Sequence, residues 1–196
     1  LLFWAIRLTY NWMRSWEGFS HEDWRYIMMK GKTNNKFQYF IVDFGSIHLI
    51  PTLCVYMALL PMIYALTYPG NELNNFDILA AFLAIAAVFI QIISDQQMFN
   101  FRKNISKPET MKSGLWYYSR HPNYFGEILF WFSLFIFALA ANFNFAWLLI
   151  GTLIMYALIA IASVSMMDKR SLERRPDFKE YMDTTPAIFI NVFKRG

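Results

Sequence analysis

The stretch from Gly114 to Glu127 collects the side chains best suited to chemistry: Tyr117, Arg120, His121, Asn123, Tyr124 and Glu127. Pro122 fits the first position of a helix, where a missing N–H costs nothing. His121 is therefore the expected N-cap, and the helix would turn free backbone N–H groups toward the preceding loop. With Arg120 beside it, such an end attracts anions, phosphates above all. Glu127 lies one turn beyond His121-Pro122-Asn123 and enters an apolar run, where a carboxylate needs a polar partner or a ligand. These residues predict a polar, ligand-binding rim at the mouth of a membrane-embedded helix.

Two further polar sets frame this stretch. Gln91 and Asp95 are four residues apart and share a helix face; Arg102 joins that face if the helix continues. The tail opens with Asp168, Arg170, Glu173, Arg174 and Arg175, followed by Tyr181. Blander roles compete with binding. The arginines could face acidic lipid headgroups, and Asp95 could merely pair with Arg102. Trp116 and Tyr118 read as members of an interfacial aromatic belt, and His48 as a hydrogen-bonded packing residue. There is no Walker loop, Rossmann glycine fingerprint or zinc-type His/Cys spacing, so no metal site is expected. Cys54, the one cysteine, lies in an apolar run and builds no disulfide framework.

The elements that must position these residues are membrane helices. Of 196 residues, 57% are hydrophobic and 19% aromatic while only 16% are charged, and the apolar ones form long runs. Leu1 to Trp16, with Arg7, Asn11 and Arg14, reads as the end of a membrane helix or an interfacial one. A short helix is expected from Ser20 to about Met29, with Ser20 and Asp23 as its capping arrangement. Residues 40–68 predict one span kinked by Pro51 and Pro61, and Ile78 to Ser94 a second. Ile128 to Ala141 and Phe145 to Met167 predict a hairpin, and a last helix is expected near Asp177 to Asp183.

Lysine and arginine counts fix the topology. Loop 17–39 carries four, link 69–77 none, loop 95–126 five, turn 142–144 none and tail 168–196 seven. The positive-inside rule puts the three basic regions on the cytosolic-equivalent side. The net charge of +4 is thus an orientation signal, not a sign of nucleic-acid binding. The predicted fold is all-α: a polytopic helical membrane bundle of four to five membrane helices. It forms one membrane domain, 1–196, with the tail 168–196 packed on the cytosolic side. The opening at Leu1-Leu2-Phe3-Trp4, mid-pattern and without an initiator Met, leaves room for further N-terminal helices.

Tyr118-Ser119-Arg120-His121-Pro122-Asn123-Tyr124-Phe125-Gly126-Glu127 resembles the signature of the steroid 5-alpha-reductase-like membrane proteins. Arg7-Leu8-Thr9 with Glu22-Asp23-Trp24-Arg25-Tyr26, Asp95-Gln96-Gln97 with Phe101-Arg102, and Arg174-Arg175-Pro176 with Tyr181 and Pro186 extend the likeness over most of the chain. The resemblance implies a helical bundle whose cytosolic loops close over NADPH. It also implies hydride transfer to a C=C bond conjugated to a carbonyl, an oxidoreductase reaction on CH–CH groups of a lipophilic substrate. Carried over by position, Asp95, Arg102 and Asn123 correspond to cofactor-binding residues, and Gln91 falls where an Asn often helps. Tyr117, Arg120 and His121 complete the expected cofactor site, and Tyr124 and Glu127 become the catalytic candidates.

The chain departs from that pattern in its last span. There the steroid reductases supply an Arg, a His and a Tyr, and this chain reads Ala160-Ile161-Ala162-Ser163-Val164-Ser165-Met166-Met167-Asp168. Tyr10, Asp43 and His48 are the candidates for the early-helix residues that face substrate. Arg120-His121-Pro122 with Tyr124 also resembles the isoprenylcysteine carboxyl methyltransferases, which bind S-adenosylmethionine and carry an acidic pair where Asp168-Lys169 stands here. A third reading is a catalytically silent subunit of a larger membrane assembly. Expected partners are membrane lipid and a lipophilic small molecule; the membrane could be endoplasmic reticulum, bacterial inner or mitochondrial inner.

Overall fold

The computed structural model describes residues 1–19, 22–68, 72–104 and 109–191. Every regular element among them is a helix: α1 Leu2–Arg14, α2 Trp24–Lys30, α3 Lys36–Thr67, α4 Asn75–Asn104, α5 Leu115–Tyr118, α6 Pro122–Ala141, α7 Phe143–Arg174 and α8 Phe178–Thr184. Of these, α3, α4, α6 and α7 are long and apolar enough to cross a membrane. The protein is a multi-pass helical membrane protein. Its chain divides into two compact units, Leu1–Met57 and Ala58–Gly196.

In the first unit, α1 sets Arg7, Asn11 and Arg14 along one side, and Arg14 Nε donates to Asn11 Oδ1 at 2.9 Å. Asp23 caps α2 by accepting from the Arg25 amide. The helix expected from Ser20 thus begins later, at Trp24; Ser20 itself lies outside the described residues. Asn35 and Gln38 cap the start of α3 reciprocally, Asn35 Oδ1 accepting from the Gln38 amide and Gln38 Oε1 from the Asn34 amide, both at 2.9 Å. The span expected over residues 40–68 is one helix, Lys36–Thr67, with a π-helical stretch over Asp43–Leu49, just before Pro51, and with Pro61 inside it.

The second unit contains the helix pair that matters most. Asn74 starts α4 with a reciprocal cap, Oδ1 accepting from the Phe76 amide while the Asn74 amide donates to Asp77 Oδ2. The helix then runs past the expected end at Ser94 to Asn104. At 1.5 Å per residue, 30 residues span about 45 Å against a hydrocarbon core of about 30 Å. The surplus places Asp95 to Asn104 on the helix itself rather than in a loop, with Gln96 Nε2 bonding Asn100 Oδ1 one turn on.

The buried face of α4 reads Ala80, Ala87, Gln91, Ser94 and Asp95, a stripe of mostly small residues that lets α6 approach closely. Gly126 is the answering residue on α6. A Cβ there would stand 2.6 Å from Gln91 Cγ and 2.9 Å from the Ala87 carbonyl. Farther along, Ala80, Phe135, Ile136, Ala138 and Leu148 form the apolar core.

The α6–α7 turn follows the predicted punctuation. Asn142 closes α6, and its Oδ1 accepts from the Asn144 amide to open α7. Thr152 Oγ1 donates to the Trp131 carbonyl at 3.4 Å between the two. Helix α7 starts as a 3-10 turn, Phe143–Leu148, and carries a second π stretch, Leu158–Val164, before ending at Arg174.

Candidate functional site

The signature segment is folded back by Gly114. Its φ of +61° suits glycine, and a Cβ there would collide with the Gln97 amide. Gln97 Oε1 in turn accepts from the Leu115 amide at 3.0 Å and caps the short α5. Trp116, expected in an aromatic belt, is buried instead; its indole N–H donates to the Ser94 carbonyl at 3.1 Å and fixes α5 to α4.

Pro122 occupies the first position of α6 and His121 its N-cap, as the sequence predicts, but the His121 side chain makes no cap. It lies 2.8 Å through Nε2 from Asp168 Oδ1, and Arg120 Nη2 donates to Asp168 Oδ2 at 2.8 Å. Side-chain exposure is near a tenth or less at all three. A buried carboxylate thus holds a guanidinium and an imidazole from neighbouring residues, the pairing that buried charges require.

Arg120 Nη1 extends the clamp to the tail, donating to the Met182 and Thr185 carbonyls at 3.0 and 2.7 Å. The main chain follows. The Arg120 amide donates to the Pro186 carbonyl, the His121 amide to Ala187, and the Asn191 amide to Tyr118. Ser119 Oγ donates to the Ile188 carbonyl at 2.8 Å. The loop side of the α6 terminus, read from the sequence as an anion-friendly opening, is therefore covered by residues 185–191. The Tyr124 and Phe125 amides both bond the His121 carbonyl.

Tyr181 locks the same corner, its hydroxyl donating to the Trp116 and Ser119 carbonyls. Burial pushes its phenol above the ordinary value, with Arg120 pulling it down and Asp168 pushing it up. At the surface nearby, Asp177 accepts from Thr110 at 2.8 Å and pairs with Lys112 at 3.2 Å. Partial burial works against the Asp177 carboxylate, but these two bonds hold it below its usual range.

One turn into α6 lies a second polar knot. Glu127 Oε2 accepts from Gln91 Nε2 at 3.0 Å and Oε1 from Trp131 Nε1 at 3.1 Å. The partner that the sequence required for Glu127 is thus a fully buried glutamine on α4 together with its own helix's tryptophan. The bond also fixes the Gln91 amide, since reversing it would set oxygen against oxygen. Gln91 Oε1 is consequently left buried with no donor, and Asn123 Oδ1 is in the same state. Tyr124 stacks on His121, ring centroids 5.3 Å apart. Tyr117 packs edge-on against Tyr118.

Asp95 and Arg102 share one continuous helix, as the seven-residue spacing suggested, and Asp95 is close enough to attract the Arg102 guanidinium. Arg175 belongs to the same neighbourhood. Burial and then the guanidinium groups of Arg102 and Arg174 hold Arg175 below an arginine's ordinary range, against the pull of Asp177. In the first unit, His48 Nε2 lies 3.6 Å from Asp43 Oδ2 on the π stretch of α3, and Tyr10 sits under Arg14.

The family profile described as "Protein of unknown function (DUF1295)" matches residues 1–185. The chain belongs to the DUF1295 family. This DUF1295 chain is also 27% identical, over 216 aligned residues, to an uncharacterised protein of Schizosaccharomyces pombe. The match covers 95% of the chain and 60% of the yeast protein, so the chain spans less than two thirds of that relative's length. No solved structure matches it.

The sequence placed Asp168 in the polar tail and Gln97 and Ser119 in the motifs without assigning them contacts, and it gave no sign of Trp131. Asp168 did leave a signal: Arg120 needed a buried counter-ion, and Asp168 is the first charged residue after the last apolar run. Gln97 and Ser119 act through backbone amides and carbonyls, which carry no pattern in sequence.

Proposed function

We propose that this DUF1295 chain is an NADPH-dependent reductase of a C=C bond conjugated to a carbonyl in a lipophilic, steroid-like substrate. The observation that carries the reading is the pair of buried amide oxygens, Gln91 Oε1 and Asn123 Oδ1, that lack donors beside Glu127. An unsatisfied buried acceptor costs about 1–3 kcal/mol, and such groups in native proteins call for a missing partner. A carboxamide N–H₂, as on nicotinamide, offers two donors. The resemblance of the signature to the steroid 5-alpha-reductases points to the same group.

NADPH would supply the hydride. Asn123 and Gln91 would hold the carboxamide, and Glu127, with both oxygens already engaged, would orient Gln91 rather than move a proton. Arg102, Arg174 and Arg175 would neutralise phosphates, a task for which guanidinium groups are suited. Arg120 and His121 would act from behind, since Asp168 engages both. Tyr124, half-buried on the His121 ring, is the hydroxyl best placed by sequence to polarise a substrate carbonyl.

One observation favours a second reading. Asp168 keeps one acid of the pair that the isoprenylcysteine carboxyl methyltransferases carry, with Lys169 in place of the other, and contacts both Arg120 and His121, so an S-adenosylmethionine-dependent transfer is the alternative. The ammonium of that cofactor is also a donor for two buried oxygens.

Calorimetry on the purified protein in detergent separates the readings. NADPH should bind far better than S-adenosylmethionine, and Asn123→Ala or Gln91→Ala should abolish binding while leaving the helical fold intact. Preference for S-adenosylmethionine transfers the assignment to the methyltransferase. Binding of neither, with stoichiometric co-purification of a larger assembly, supports the silent-subunit reading.

A further inference from the structure

We infer that Asp168 is a positioning residue for the cofactor site, acting through Arg120 and His121 on Asn123. The inference rests on the reductase reading for its ligand and on the geometry for its residue. One carboxylate on α7 fixes two consecutive residues at the entry to α6, each at 2.8 Å. The unpartnered Asn123 oxygen follows two residues later, across the rigid Pro122. The direction in which Asn123 presents its oxygen is therefore set where Asp168 grips the chain.

Two features suit Asp168 to this task rather than to a plain ion pair. Each of its oxygens takes a different partner, so the carboxylate constrains rotation as well as distance. It also follows the π stretch Leu158–Val164. A π turn adds a residue to the helix and rotates everything after it by about 100° relative to an unbroken α-helix. After that rotation Asp168, the first charged residue beyond the apolar run, faces Arg120 and His121. The last span, which lacks the reductases' Arg, His and Tyr, thereby contributes through its carboxylate at second hand.

The test is a double-mutant cycle on NADPH affinity, with thermal unfolding measured on the same samples. Asp168→Asn keeps the shape but removes the charge and one acceptor. It should weaken NADPH binding by about 10- to 100-fold, the range seen when a residue that orients binding groups is lost. In an Asn123→Ser background, which weakens NADPH binding but leaves it measurable, Asp168→Asn should change affinity no further, yet should lower the unfolding temperature as much as it does alone. A purely structural clamp would lower stability and leave affinity unchanged, and that result overturns the inference.

Asp168→Glu guards against a variant that does not fold. It keeps both ion pairs one methylene displaced, and should bind NADPH more weakly than the unaltered protein at similar stability. An Asp168→Glu protein with unaltered affinity, beside an unfolded Asp168→Asn, also overturns the inference. If the unaltered protein binds S-adenosylmethionine and not NADPH, the reductase reading falls while the same cycle, run with that ligand, decides the role of Asp168. Binding of neither ligand removes the reading and the inference together.

Discussion

The two ends of the α4–α6–α7 body are stitched with similar care and opposite chemistry. At the α6–α7 turn the contacts are neutral. Asn74 Nδ2 donates to the Ala140 carbonyl at 2.9 Å and Asn142 Nδ2 to the Tyr68 hydroxyl at 2.7 Å. Around them Tyr64, Tyr68, Phe145 and Trp147 pack ring edge to face, as do Phe76 and Phe143. At the other end a carboxylate, a guanidinium and an imidazole are buried together. Among the described residues of this unit, the buried side-chain atoms left without partners belong to Gln91, Arg120 and Asn123, all on the charged side. A fold that needed only a closed helix bundle could have used asparagines and aromatics at both ends. The unsatisfied atoms lie at one end only, the end to which the proposed function assigns a ligand.

The largest difference between the ends should appear on truncation. Asp168→Ala strands Arg120 and His121 in a buried site, and losing one partner of such a cluster costs about 3–5 kcal/mol. Asn142→Ala removes a neutral, exposed hydrogen bond and the cap on the Asn144 amide and should cost about 1–2 kcal/mol. Denaturant unfolding in detergent compares them directly. Equal losses would mean that the charged end is no more than an ordinary seam.

A change between the two ends comes next. Gly126→Val drives side-chain atoms into Gln91 and the Ala87 carbonyl, and overpacking of this kind costs about 1–3 kcal/mol. Because it displaces Gln91, it should also weaken NADPH binding at temperatures where the protein stays folded. Lost stability with unaltered affinity would separate the helix seam from the ligand site.

Much of this fold is legible from sequence, and the physics explains which parts. Apolar runs long enough to span a bilayer admit few structures other than helices, so the four spans and the Asn142 turn follow from the pattern. Helix ends are harder, because polar residues can prolong a helix beyond the membrane as readily as end it. Asp95 to Asn104 does so, and that extension puts Asp95 and Arg102 on one helix. The π stretches leave no trace in hydropathy; nothing in Leu158–Val164 distinguishes it from an α-helix of the same composition. At the site, spacing along one helix is visible, as for Gln91 and Asp95. The pairing of Asp168 with a residue 48 positions away is not, because it depends on how α7 is turned. Arg120 read as an open phosphate ligand for that reason.

The smallest predicted effect is the one that tests the charged end by pH. Tyr181 has its phenol raised above the ordinary 10 by burial, and its hydroxyl serves the carbonyls of Trp116 and Ser119. A group held protonated in the folded protein contributes stability that is complete below its unfolded value. That contribution is lost as the pH rises from about 10 toward the folded value, because the unfolded chain alone releases the proton. Tyr181→Phe deletes both the hydrogen bonds and the titration. It should cost about 1–2 kcal/mol at neutral pH, and the gap to the unaltered protein should narrow above about pH 10. Lysines also titrate there and loosen both proteins alike, so the difference between the two unfolding curves is the quantity to read. A gap that stays constant from about pH 8 to 11, the range that brackets the ordinary tyrosine and lysine values, would mean that the phenol is solvated and that the tail does not seal this end of the bundle.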